Sequence, residues 1–129
     1  MIKQDYLIRM IQEIVSLIVN AILNKKKIRQ KEWEEYDEIT RQLLGFPTRD
    51  LLNMSTEELI GKCGQGSDQM EKIELAAMNM LKLSEDIEDN LLLKSRLLQN
   101  GIQLLKHVQK EGNAYSLQRE YLIKMLELQ

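Results

Sequence analysis

Residues 1–23 read MIKQDYLIRMIQEIVSLIVNAIL, and this stretch decides the fold class. Apolar side chains recur at spacings of three and four, the period of an α-helix. On a helical wheel with Leu7 at zero, the apolar set from Tyr6 to Ile22 covers roughly 220°. The polar set Asp5, Arg9, Gln12, Glu13, Ser16 and Asn20 is compressed into roughly 100°. A surface helix buries one stripe; this one needs cover on more than one side. The cover is the rest of the chain, a second copy, a partner protein or a membrane surface.

The remainder of the chain supports an all-α fold. In 129 residues there are one proline and six glycines, and Leu, Ile, Glu, Lys, Gln and Met dominate, all residues that suit helices. Three valines leave little from which to build strands. The length fits a single domain, residues 1–129, large enough to bury roughly two-thirds of its unfolded surface.

Breaks in the pattern predict five or six helices. The first spans about Lys3 to Lys26 and the second about Gln30 to Leu44, with Trp33, Tyr36, Ile39, Thr40 and Leu43 on one face. Leu44-Gly45-Phe46-Pro47 is a stop signal, because Gly45 accepts a left-handed conformation and Pro47 cannot continue a helix. Residues 48–54 form a connector whose Leu51, Leu52 and Met54 plug the core. Ser55-Thr56-Glu57-Glu58 is a capping box for a short helix over about Thr56 to Lys62. After Gly64-Gln65-Gly66-Ser67, with Ser67 as a cap, a fourth helix spans about Asp68 to Leu83. Residues 84–90 are either a turn or a continuation. A fifth helix runs from Ile87 or Asn90 to Lys110, with Leu91, Leu98, Ile102, Leu105 and Val108 on its inner stripe. Gly112-Asn113 ends it. The last helix spans about Ala114 to Leu128, with Leu117, Tyr121, Leu122, Met125 and Leu128 inward.

The last three helices therefore predict a helical-hairpin array, tetratricopeptide-like, behind a long N-terminal helix. Over residues 68–112 the tryptophan, Leu-Gly pair, tyrosine and closing proline of that repeat are absent at their usual spacing. Gly101 can serve as one small residue of a second helix.

The net charge of −2 hides an asymmetry. Residues 1–31 hold seven Lys/Arg against two acids, net +5; residues 32–129 hold eleven against eighteen, net −7. The two parts attract each other, within a chain or between copies. The acidic remainder argues against nucleic-acid binding. Lys25, Lys26, Lys27, Arg29 and Lys31 form the one charge run, either a solvated helix end or a contact for an anionic partner.

No constellation names a reaction. His107 is the single histidine, and Leu104 breaks the Glu-x-x-His pattern of a di-iron bundle. Cys63 is the single cysteine, which excludes a disulfide framework and a thiolate cluster and fits a reducing cytoplasm. Glu85, Asp86, Glu88 and Asp89 lack the alternating ligands and glycine of a calcium loop. Gly64 to Ser67 lacks the lysine of a phosphate loop. The expectation is a protein without catalytic, cofactor-binding or metal-binding residues. Asp5, Arg9 and Glu13 precede the apolar stretch, unlike an export signal. The longest uncharged run, residues 14–24, is short of the ~20 residues that span a bilayer.

The opening Met1-Ile2-Lys3-Gln4-Asp5-Tyr6-Leu7-Ile8-Arg9-Met10-Ile11 resembles that of a family of short, uncharacterised bacterial all-helical proteins. Its members begin Met-Ile-x-Gln-Asp-Tyr-(Ile/Leu)-x-Arg-Met-Ile. A Leu-Leu-Gly segment follows, here Leu43-Leu44-Gly45, then a helical-hairpin half. The resemblance implies a bacterial cytoplasmic protein with tetratricopeptide-like helices, and it transfers no activity.

The functional expectation is a non-enzymatic interaction or scaffold module, forming a homodimer through the N-terminal helix. Its interaction residues are Tyr6, Leu7, Met10, Ile11, Ile14, Leu17 and Ile18, with Lys25, Lys26 and Lys27 beside them. The alternative is a peripheral membrane protein using the same helix and basic run. The nearly neutral polar strip of that helix disfavours a membrane surface.

Overall fold

The computed structural model describes residues 4–112 and 115–128. Among the described residues all regular structure is helical: α1 (Gln4–Leu23), α2 (Gln30–Leu44), a 3-10 helix (Thr48–Asn53), α3 (Thr56–Lys62), α4 (Gln69–Asp86), α5 (Leu91–Glu111) and α6 (Leu117–Glu127). The fold class is all-α, with seven helices where five or six were expected. The extra one is the connector after Pro47, wound into a 3-10 turn. Lys3, Asn113 and Ala114, expected at the ends of helices, lie outside the described residues.

Local chemistry explains most boundaries. Gly45 adopts φ 88° and its N–H donates to the Arg41 carbonyl at 2.9 Å, closing α2. The capping box forms: the Glu58 amide donates to Ser55 Oγ at 3.1 Å, and the Ser55 amide donates to Glu58 Oε1 at 3.4 Å. The expected cap at Ser67 is displaced. Asp68 takes the N-cap position of α4, and its carboxylate pairs with Lys72 at 3.4 Å. Residues 84–90 divide: α4 continues to Asp86, and Asn90 caps α5 by accepting from the Leu93 amide at 3.0 Å. The two helices are separate, and Lys94 staples the break by donating to the carbonyls of Ser84 (2.8 Å) and Ile87 (3.4 Å).

α4 is the axis of the molecule. Every residue from Leu75 to Leu81 is buried, because α4 touches α1, α2, α3, the 3-10 helix and α5. Its most extensive pairing is with α5. There Gly101 permits close approach: a Cβ at that position meets Leu81 Cδ2 at 2.8 Å and the Ala77 carbonyl at 3.3 Å. α6 is held to α4 and α5 by Arg119, whose guanidinium donates to Glu74 and to Gln109 at 2.5 Å each. α2 is anchored by Trp33, over whose ring Lys82 sits at 4.1 Å.

The inner face of α6 departs from expectation. Leu122, Ile123 and Leu126 are buried, whereas Leu117 and Tyr121 are 78% and 62% exposed and Leu128 is 87% exposed. In α5, Leu91 is likewise exposed while Leu97, Leu104 and Gly101 join the core. Leu91 stands in the first turn of α5, directly after the Asn90 cap, and faces solvent at 77% exposure.

Candidate functional site

Three surfaces compete for a functional role: α1, the outer face of α6, and a cleft at one end of the bundle.

In α1 the residues Ile11, Ile14, Val15, Ile18, Val19 and Ile22 are buried. They span roughly 140° of the roughly 220° apolar arc, and α4 and α2 lie against the helix. Three of the expected interaction residues, Ile11, Ile14 and Ile18, are thus at most 1% exposed and belong to the chain's own core. They are not available to a partner of the folded monomer. Leu7, Met10 and Leu17 are half-buried, and Leu17 shares a shallow depression with Tyr36 of α2. Tyr6, more than half exposed, is the outermost member of the group. By length and composition the segment Asp5–Leu23 is also apolar enough to cross a membrane, with mean hydropathy 1.6. The uncharged-run reading missed this because Arg9 and Glu13 interrupt the run without making the window polar.

α6 carries two apolar faces. The buried set Leu122, Ile123 and Leu126 points roughly 170° away from the exposed set Leu117, Tyr121 and Leu128. Tyr115, 63% exposed, precedes the helix and lines a depression with Lys106 and Lys110 of α5 and Ile123 of α6. A helix with apolar stripes on opposite sides is built to be packed from both. Sequence reasoning had merged the two stripes into one inner face. The signal was available: Leu117, Tyr121 and Leu128 fall within roughly 40° on the wheel, and Leu122 and Leu126 lie well outside that arc.

The cleft has a volume of about 470 Å³. Its apolar lining comes from Ile22 and Leu23 of α1, Leu81 of α4, Leu98 of α5, and Met125 and Leu126 of α6. Lys25, Lys26, Lys27 and Lys94 also line it. The basic run is here because α1 stops at Leu23 and the chain turns over the end of α4, with Lys25 at φ 53°. Lys26 and Lys27 also border a second concavity of about 380 Å³, toward Lys82 and Asp86. Glu85 borders both; burial, then the neighbouring Asp86, raises its carboxyl above the ordinary value.

Conventional chemistry is thinly represented. Among the described residues no group of three or more His, Cys, Asp or Glu side chains is arranged to hold a metal ion. Cys63 is buried, and burial pushes its thiol from 9.0 up to about 11, which suppresses the nucleophilic thiolate at neutral pH. His107 is half-buried on α5. No family model matches the chain, and no curated protein or solved structure does.

Proposed function

We propose that the protein is a non-enzymatic interaction module that pairs with a second copy of itself through the outer face of α6. The observation that carries this reading is the exposed stripe Leu117, Tyr121 and Leu128 on a helix already packed on its opposite side. Exposed apolar rows of this kind mark protein–protein contacts.

The stripe fits its own copy. With Lys124 included, its spacings are four, three and four, so it reads alike in both directions. Laid antiparallel, Leu117 of one copy meets Leu128 of the other. Tyr121 meets Lys124, an aromatic face against a cation. The result is a closed two-fold pair. This reading moves self-association from the core face of α1, whose isoleucines are spent within the chain, to α6. The assignment to a bacterial cytoplasm rests on the opening residues and the lone cysteine. The tetratricopeptide-like description of α4, α5 and α6 rests on their hairpin connectivity.

Light scattering tests the proposal. The expected mass is twice the 15.2 kDa of the chain, and Tyr121→Glu returns it to the monomer value. A monomeric wild-type protein at high concentration overturns self-association. A second reading, peripheral membrane attachment through α1 and Lys25 to Lys27, is favoured by the apolarity of Asp5–Leu23. Salt-sensitive co-sedimentation of a monomer with anionic liposomes is the result that prefers it.

A further inference from the structure

The cleft between α1, α4, α5 and α6 has a ligand chemistry of its own. Its floor is apolar from all four helices. Ser84 also lines it, but its hydroxyl is committed, donating to the Leu81 carbonyl at 2.6 Å. Its cations are unbalanced. Among the described residues Lys25, Lys26, Lys27 and Lys94 form no ion pair, and Glu85 is the one carboxylate in the lining. Lys94 donates two hydrogen bonds to carbonyls at the end of α4, and an ammonium has three protons to give. A volume near 470 Å³ lies within the range of small-molecule pockets, roughly 300–1,000 Å³.

A ligand for this place is apolar over most of its length and negative at one end. We propose that the cleft binds the anion of a single-chain fatty acid. The alkyl chain lies on the floor made by Ile22, Leu81, Leu98 and Leu126, and the carboxylate meets the lysines. An extended peptide fits poorly, because it carries amide groups along its length and the floor gives them no partners. A flat membrane surface does not reach a floor set between four helices. The inference is independent of the outer face of α6: Tyr121→Glu leaves fatty-acid binding unchanged.

The test is calorimetric titration of the full chain with sodium decanoate below its micelle-forming concentration, beside neutral decanol. Saturable binding with one decanoate per chain is expected, with decanol about tenfold weaker because it brings no charge to the lysines. The combined variant Lys25→Glu, Lys26→Glu and Lys27→Glu weakens decanoate by about tenfold or more. Glu85→Gln removes the repelling carboxylate and tightens binding about two- to threefold. Absence of saturation overturns the proposal, as does equal binding of decanol and decanoate. If the triple variant melts below the wild type, Glu85→Gln decides alone: unchanged or weaker binding overturns the inference.

Discussion

α1 and α6 present the same puzzle in sequence and opposite answers in space. Each carries more apolar surface than one packing face requires. In α1 most of the surplus is absorbed, because the helix lies against both α4 and α2: six of its apolar residues are at most 8% exposed, and Leu7, Met10 and Leu17 are half-buried. In α6 it is left open, because the helix sits at the edge of the bundle with α5 as its main neighbour. Apolar width therefore measures how many sides a helix needs covered. Position in the fold decides whether the chain itself supplies the cover.

The sharpest way to break this comparison is to charge the absorbed face. Ile18 is fully buried. Ile18→Asp puts a carboxylate into the core, at the base of the concavity that Lys26, Lys27 and Lys82 also line, and removes a large apolar side chain as well. The expected loss is about 4–5 kcal/mol, enough to unfold a marginal domain. Circular dichroism in urea measures it. A variant with the wild-type midpoint refutes the placement of α1 in the core.

Arg119 tests what holds the edge helix in place. Its guanidinium and the Glu74 carboxylate are only 11% and 14% exposed. Arg119→Ala strands Glu74 in a largely dry site and removes the tie to Gln109, for an expected loss of about 3 kcal/mol. Because the pair is shielded, the loss persists at high salt. Glu74→Gln together with Arg119→Met, which removes both charges, recovers most of the stability. Equal loss in the single and double variants contradicts a buried pair.

The contrast between the two helices also shows where sequence reasoning succeeds. Boundaries governed by local chemistry were readable: the Gly45 stop, the Ser55–Glu58 box and the span of α2 depend on residues within one turn of each other. The class of the fold was readable from the scarcity of strand formers. The direction of α6 was not, because Leu117, Tyr121, Leu122, Met125, Leu126 and Leu128 spread over about half of the helix circumference and nothing local ranks the two stripes. The ranking comes from Arg119, which binds Glu74 across 45 residues of sequence and turns Leu122 and Leu126 inward. The cleft was hidden for the same reason. The basic run was visible, but its partner Lys94 lies far along the chain and joins it only through the packing of α4 and α5.

The smallest effect completes the comparison. Leu117→Lys makes a change as severe in hydropathy as Ile18→Asp, on the face left open. Leu117 is 78% exposed, so the ammonium stays hydrated and no cavity forms. It stands just after Ser116, which caps α6 by accepting from the Arg119 amide at 3.1 Å. A cation in this first turn is opposed by the positive end of the helix dipole, a penalty of about 0.5 kcal/mol. The monomer's unfolding free energy therefore changes by about 0.5 kcal/mol, read from urea titration at a concentration too low for pairing. At high concentration the same variant loses the added stability that association gives the wild type, because binding of the folded form raises its apparent stability by mass action. A loss of several kcal/mol at low concentration means that Leu117 is covered by the chain itself, and the distinction between the absorbed and the open helix falls.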